Sequence, residues 1–233
     1  AGHGFILAAK PWGWYQHEGV LHEARNWHSN PMWISRGDHL FGFGGASFTA
    51  RTSDAYATFS TTTCGEQGRT VATFEPTYQL HGHIARLTGA TVAEGERADD
   101  FTLDLAEVRR VLADAHPTVT FLCSPNNPTG LEEPEAKVRE VLSLAPGLLV
   151  VDEAYGQFAG WSALGLVDDD TPLVVSRTFS KTWSMAGSRL GYLVAPAWVV
   201  AELEKVVLPY HLDAAKQIAG RLALTFVDEM EAR

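Results

Sequence analysis

A single lysine, Lys181, stands just past an apolar run, Leu173-Val174-Val175, that continues through Ser176-Arg177-Thr178-Phe179-Ser180. Small residues follow it, then Arg189, then a second apolar run from Leu190. A lysine taken by itself reads as a solvated surface cation. One placed directly after a buried strand, among apolar and hydroxyl neighbours, loses hydration of its charged form, and that frees the amine for Schiff-base chemistry. Arg189 offers a planar cationic fork near the same strand end, suited to clamping a phosphate. Two earlier stretches carry further candidates. Asp152 closes the apolar run Leu148 to Val151, where a carboxylate needs a partner to offset its desolvation; a helix cap or a buried ion pair would satisfy it as well as a ligand. Asn127 precedes Pro128, which biases it to an extended conformation before the Thr129-Gly130 turn, and bonding to its own backbone is the plain alternative.

The elements that must position these groups are legible from residue 65 onward. Strands are expected at Thr70–Phe74, Ala90–Ala93, Val119–Cys123, Leu148–Val151, Leu173–Ser176 and Leu190–Val194. Between them, helices are expected over Tyr78–Leu87, from a capping box at Asp104-Leu-Ala-Glu107, and over Glu133–Leu144. After Pro196, the spacing of Val199, Val200, Leu203, Val206 and Val207 marks one face of a helix, and Ala215, Ile218, Ala219, Leu222 and Phe226 mark another from Asp213. Strands alternating with helices give an α/β fold, a mostly parallel sheet covered by helices on both faces. In an open sheet of this kind a ligand sits at the carboxyl ends of the strands, where Asn127, Asp152 and Ser180-Lys181 all fall. A lysine and a phosphate clamp at such an edge point to pyridoxal phosphate.

Three motifs in this order, Ser124-Pro125-Asn126-Asn127-Pro128-Thr129-Gly130, Asp152-Glu153-Ala154-Tyr155 and Ser180-Lys181 with Arg189, resemble the class I/II aminotransferases of fold type I. Phe74-Glu75-Pro76-Thr77-Tyr78 and Arg177-Thr178-Phe179-Ser180-Lys181 are most similar to histidinol-phosphate aminotransferases and their aromatic relatives. The resemblance runs from Gly65 to the C-terminus. It implies that Lys181 is the catalytic lysine that carries pyridoxal 5'-phosphate and moves a proton at the substrate α-carbon. It implies that Asp152 pairs with the pyridinium nitrogen, so that the ring can act as an electron sink. Asn127 and Tyr155 would meet the ring hydroxyl oxygen, Tyr78 would stack on the ring, where a lone aromatic otherwise reads as core packing, and Ser180 and Arg189 would hold the phosphate, with Thr178 and Ser188 as weaker candidates. The substrates implied are histidinol phosphate or an aromatic amino acid with 2-oxoglutarate, in a homodimer. A decarboxylase of amino-acid phosphates on the same fold would share every motif, and a non-catalytic fragment would keep the cofactor contacts alone.

Composition bounds the remainder. The chain has 233 residues, 45% hydrophobic and 20% charged, as in an ordinary globular protein. A net charge of -10 argues against nucleic acid or an anionic membrane as partner. No run of eighteen apolar residues predicts a membrane span. Cys64 and Cys123 lie far apart without metal-type spacing, and Ala1–Trp14 lacks a basic leader, so a cytoplasmic protein is expected. His81 and His83, two apart on one helix, face different ways and read as surface residues rather than a metal pair. Arg86 and Arg97 receive no role.

Residues 1–64 differ in kind. They hold Trp12, Trp14, Trp27 and Trp33 of the seven tryptophans but only Glu18, Glu23, Asp38 and Asp54 of the 28 acidic residues. Gly42, Gly44 and Gly45 lack the strand-to-helix context of a phosphate loop, and Ser47–Thr63 fits no periodic pattern. Such a jump before an abrupt resemblance is what a divergent segment or a shifted reading frame produces. The expected organisation is therefore an unassigned segment at 1–64 and a cofactor-binding large domain at 65–233, with the small C-terminal domain of the resembled family lying beyond it.

Overall fold

The computed structural model describes residues 68–204 and 212–232, together with the backbone of five short strands before them: β1 (Gly4–Ala9), β2 (Gly13–His17), β3 (Val20–Ala24), β4 (Met32–Arg36) and β5 (His39–Phe43). The expectations for Gly44, Gly45 and Ser47–Thr63 lie outside the described residues. From Thr70 the elements alternate: β6 (Thr70–Glu75), α1 (Leu80–Leu87), β7 (Thr91–Glu96), α2 (Leu105–Ala115), β8 (Val119–Cys123), α3 (Glu135–Leu144), β9 (Leu148–Asp152), β10 (Leu173–Thr178), β11 (Leu190–Ala195), α4 (Ala197–Glu204), α5 (Ala214–Ala223) and α6 (Val227–Glu231).

Seven of the strands form one sheet in the order β1-β11-β10-β9-β8-β6-β7, while β2 pairs with β3 and β4 with β5. The pairs from β7 through β10 are parallel, while β11 runs antiparallel to both β10 and β1. Side chains on a strand alternate between faces, and here both faces are buried. Leu148 and Val150 of β9, with Val119 and Phe121 of β8 and Val174 of β10, pack under Ile84 and Ala85 of α1 and Val199, Val200 and Leu203 of α4. Leu149 and Val151, with Leu122, Leu173 and Val175, pack under Val108, Val111 and Leu112 of α2 and Val138 and Val141 of α3. Each such Val or Leu, withdrawn from water, contributes about 1.5–3 kcal/mol. Strand spans that read as continuous apolar runs follow from this double coverage.

Local chemistry sets the boundaries. Asp104 caps α2 by accepting from Ala106 N at 2.8 Å. Glu107 does not close the expected capping box, since its carboxylate accepts from Arg110 and from the Glu96 backbone N–H instead. Helix α3 starts at Glu135 rather than Glu133, because Pro134 opens it and the Glu133 carboxylate turns inward to the buried Arg97. Gly147, just before β9, passes Thr118 so closely that a Cβ would lie 2.2 Å from its carbonyl oxygen. Only glycine lets β9 enter the sheet there.

The connection β6-α1-β7 places its helix on one face, and β7-α2-β8 places the next on the other. Strands β6 and β8 are parallel neighbours, with β7 on one side and β9 on the other, so the order in which strands are added to the sheet reverses between them. A crevice opens at such a switch point, outside the carboxyl ends of the strands.

Candidate active site

A cavity of about 180 Å³ lies at that edge, lined by Tyr78, Cys123, Asn127, Asp152, Tyr155, Thr178, Ser180, Lys181 and Arg189 among others. All seven residues singled out from the sequence therefore converge, from four loops that are distant in the chain.

Asp152 forms the floor. It ends β9 on the face shared with Leu148 and Val150 and is 2% exposed. Its Oδ1 accepts from Ala154 N at 2.9 Å, and its Oδ2 lies 3.1 Å from His81 Nε2. His81, expected at the surface, is buried in the first turn of α1. Its ring stacks on Phe121, with centroids 4.5 Å apart, and meets Tyr78 edge-on at 5.3 Å. His83 is exposed, so the expectation that the two face different ways holds while the surface assignment of His81 does not. The sequence did carry a signal: His81 shares a helical face with Ile84 and Ala85 at i+3 and i+4.

Cys123 also lines the cavity unannounced. It is the register partner of Asp152 across β8 and β9, and it follows Val119 and Phe121 on the same face. Burial pushes its thiol pKa well above the ordinary value, and the adjacent Asp152 charge adds to this.

Asn127 sits beside a clasp made by its neighbour. Asn126 Nδ2 donates to Pro76 O at 3.0 Å and to Thr129 Oγ1 at 2.9 Å, and Thr77 Oγ1 donates to Asn126 Oδ1 at 2.8 Å. The loop that carries Tyr78 is thereby tied to the loop that carries Asn127.

At the rim, Lys181 Nζ lies 4.9 Å from the centre of the Tyr155 ring, within cation–π range. Lys181 is exposed, so the desolvation anticipated from its apolar neighbours is not present; its setting is an open rim over an aromatic face. Arg189, whose backbone is left-handed at φ 53°, directs Nη1 to Ser180 Oγ at 3.3 Å and to Ala186 O at 2.7 Å. Thr178 Oγ1 accepts from the Ser180 backbone N–H at 3.0 Å. Ser188 donates to Met185 O at 2.7 Å and is not among the lining residues.

A wider open cleft of about 960 Å³ runs along α1 and β7 past Glu75, His83, Arg86, Glu94 and Arg97. Its arginines are engaged locally, Arg86 with Glu94 and Arg97 with Glu133, and no lysine is among the described residues that line it. Among the described residues no group of three or more His, Cys, Asp or Glu is placed to hold a metal, and no helix is long and apolar enough to cross a membrane.

The model of the family described as aminotransferase class I and II matches residues 48–233. The chain belongs to that family. Among curated relatives, the histidinol-phosphate aminotransferase of Streptomyces avermitilis is 45% identical over 173 residues, 72% of this chain and 47% of that protein. That of Mycobacterium marinum is 46% identical over 162 residues, 69% of this chain and 42% of its own length. The chain thus spans about half the length of the curated relatives it matches. Among solved structures, a PLP-dependent aminotransferase from Streptococcus suis superposes with a TM-score of 0.69 at 22% identity, over 78% of this chain and 50% of that one. A histidinol-phosphate aminotransferase from Sinorhizobium meliloti in complex with pyridoxal-5'-phosphate gives 0.63 at 24% identity, over 72% and 47%. These two likenesses establish the family fold, a mostly parallel sheet with helices on both sides.

Proposed function

We propose that the protein is a pyridoxal-phosphate-dependent aminotransferase that moves the amino group of histidinol phosphate to 2-oxoglutarate. The observation that carries this reading is the convergence of Lys181, Asp152, Asn127, Tyr155, Tyr78, Ser180 and Arg189 on one cavity at the sheet's switch point. Similarity to relatives named as histidinol-phosphate aminotransferases, at about 45% identity, supports the choice of substrate over an aromatic amino acid.

The donor set fits pyridoxal phosphate. A buried carboxylate on the floor suits a protonated ring nitrogen, an amide and a phenol flank it, an arginine–serine pair at one end suits a phosphate, and an amine stands at the rim. The bound cofactor supplies an electron sink for the substrate carbanion. Asp152, held by His81 and the Ala154 N–H, keeps the ring nitrogen protonated. Asn127 and Tyr155 would donate to the ring hydroxyl oxygen, and Tyr78 would cover the ring face. Arg189 and Ser180, already in contact with each other, hold the phosphate. Lys181 would hold the cofactor through its amine and would move the proton at the substrate α-carbon.

Residues 65–233 make up a cofactor-binding large domain, and the full protein works as a cytoplasmic homodimer with amino acid or amino phosphate and 2-oxo acid substrates. The test is borohydride reduction of the protein loaded with pyridoxal phosphate, followed by peptide mapping. The label is expected on Lys181 and lost in Lys181→Ala; a label on another lysine refutes the assignment. Product analysis of the intact protein should give glutamate from histidinol phosphate and 2-oxoglutarate, whereas release of carbon dioxide identifies a decarboxylase.

A further inference from the structure

The face of the sheet opposite the cavity carries a charged network that the chemistry above does not use. Alternation along the strands puts Asp152 and Thr178 on the cavity side and Glu153, Arg177 and Tyr192 on the other. Arg177 Nε and Nη2 donate to Glu153 Oε2 at 3.0 and 2.6 Å, and Nη2 also reaches Ser162 Oγ at 2.9 Å. Glu153, 3% exposed in its side chain, further accepts from Ala163 N at 2.7 Å and from the Ser162 hydroxyl. On its other side Arg177 stands beside Tyr192, its register partner on β11, within electrostatic reach of the phenol. Burial works to lower the Arg177 pKa, but the Glu153 charge and hydrogen bonds outweigh it and the net direction is up; burial raises that of Tyr192.

One guanidinium thus spans the ends of β9, β10 and β11. Each of these strands delivers a gripping group next to the brace: Asp152 immediately before Glu153, Lys181 four residues after Arg177, and Arg189 three residues before Tyr192. The groups assigned to the ring nitrogen, the reactive carbonyl end and the phosphate therefore sit on strand ends that Arg177 locks together.

We propose that Arg177 is a positioning residue, which with Glu153 and Tyr192 fixes the spacing of Asp152, Lys181 and Arg189 from the far face of the sheet. The inference rests on reading the cavity as a pyridoxal-phosphate site. A planar fork suits this task, since it grips Glu153 and Ser162 through two nitrogens while it stands beside Tyr192 of β11. The consequence is large for its distance, because a misplacement of about 1 Å in a reacting group costs on the order of a hundredfold in rate.

The experiment compares Arg177→Met and Arg177→Lys with the wild type in the intact protein, first by amide hydrogen exchange without cofactor, then by titration with pyridoxal phosphate. In Arg177→Met, exchange at Asp152–Tyr155 and Thr178–Lys181 is expected to rise on the order of tenfold while β6, β7 and β8 keep wild-type rates. Cofactor affinity should fall in parallel, with Arg177→Lys between the two because it keeps the charge and loses the fork. Should Arg177→Met not fold, Tyr192→Phe removes the β11 contact alone and should raise exchange at Lys181 and Arg189. Wild-type exchange at these amides, or a uniform rise over the whole sheet, overturns the brace. Failure of the wild type to bind pyridoxal phosphate strikes instead at the cofactor reading, and the exchange data still decide whether Arg177 orders the strand ends.

Discussion

His81 Nε2 lies 3.1 Å from Asp152 Oδ2, and both side chains are buried. The carboxylate at the cavity floor is thereby held from two sides, by an imidazole from α1 and by the Ala154 N–H from its own chain. His81→Phe keeps the stacking surface on Phe121 and removes the nitrogen. A buried acceptor left without its partner costs roughly 1–3 kcal/mol. The expected outcome in urea denaturation is a loss of that size. The double variant with Asp152→Asn should recover part of it, because the group left behind is then neutral. Strictly additive losses would show that the contact carries no coupling.

Asp152→Asn on its own separates the electronic role from the structural one. The amide occupies the same volume but cannot hold a proton on the ring nitrogen. The protein is expected to retain pyridoxal phosphate, seen in its visible absorption after gel filtration, while transamination by the intact protein falls by orders of magnitude. Near-normal turnover would contradict the proposed role.

The phosphate end can be isolated by comparing two ligands. Arg189 contacts Ser180 at 3.3 Å, and in the proposed site the two would share one phosphate. Arg189→Gln removes a charged hydrogen bond, worth about 1.5–3 kcal/mol, and should weaken pyridoxal phosphate roughly ten- to hundredfold. Binding of pyridoxal, which has no phosphate, should change little. An equal loss for both ligands places Arg189 elsewhere.

What could be read from the sequence follows the range of the forces involved. Asp152 is legible because it is a polar group closing an apolar strand, where desolvation makes the placement costly without a partner, whereas Lys181 and Asn127 lie in loops beyond their strands and are legible from the motifs around them. Cys123 could have been found by carrying the alternation Val119, Phe121 one step further. His81 was misjudged because only its relation to His83 was weighed, not its place on the face of Ile84 and Ala85. The bond between Glu153 and Arg177, 24 residues apart in sequence, depends on β9 and β10 being neighbours and could not be seen before the sheet order. Glu107 departed from its capping box because Arg110, one turn on, competes for the same carboxylate.

Cys123 supplies a pH dependence whose sign is fixed by its burial. The folded state holds the thiol proton well above the ordinary value of 9.0, first through desolvation and then through the neighbouring Asp152 charge. Above that value an unfolded chain releases the proton and the folded chain keeps it, so the unfolded state binds fewer protons and stability falls as pH rises. The contribution is complete below pH 9 and declines by up to about 1.4 kcal/mol per pH unit above it. Tyr192, raised from 10.0 chiefly by burial, adds a loss of the same sign only beyond pH 10, which leaves the interval between 9 and 10 to the cysteine. Urea denaturation of the wild type and Cys123→Ala at pH 7, 8, 9 and 10 should give a stability difference that is constant to pH 8 and then shifts against the wild type. Titrating groups elsewhere, Cys64 included, are common to both proteins and cancel in that difference. In the folded protein at neutral pH, Cys123 should also resist alkylation until denaturant is added, as read by peptide mass. Parallel stability curves up to pH 10, or ready alkylation of the folded protein, would place the thiol outside the buried floor beside Asp152.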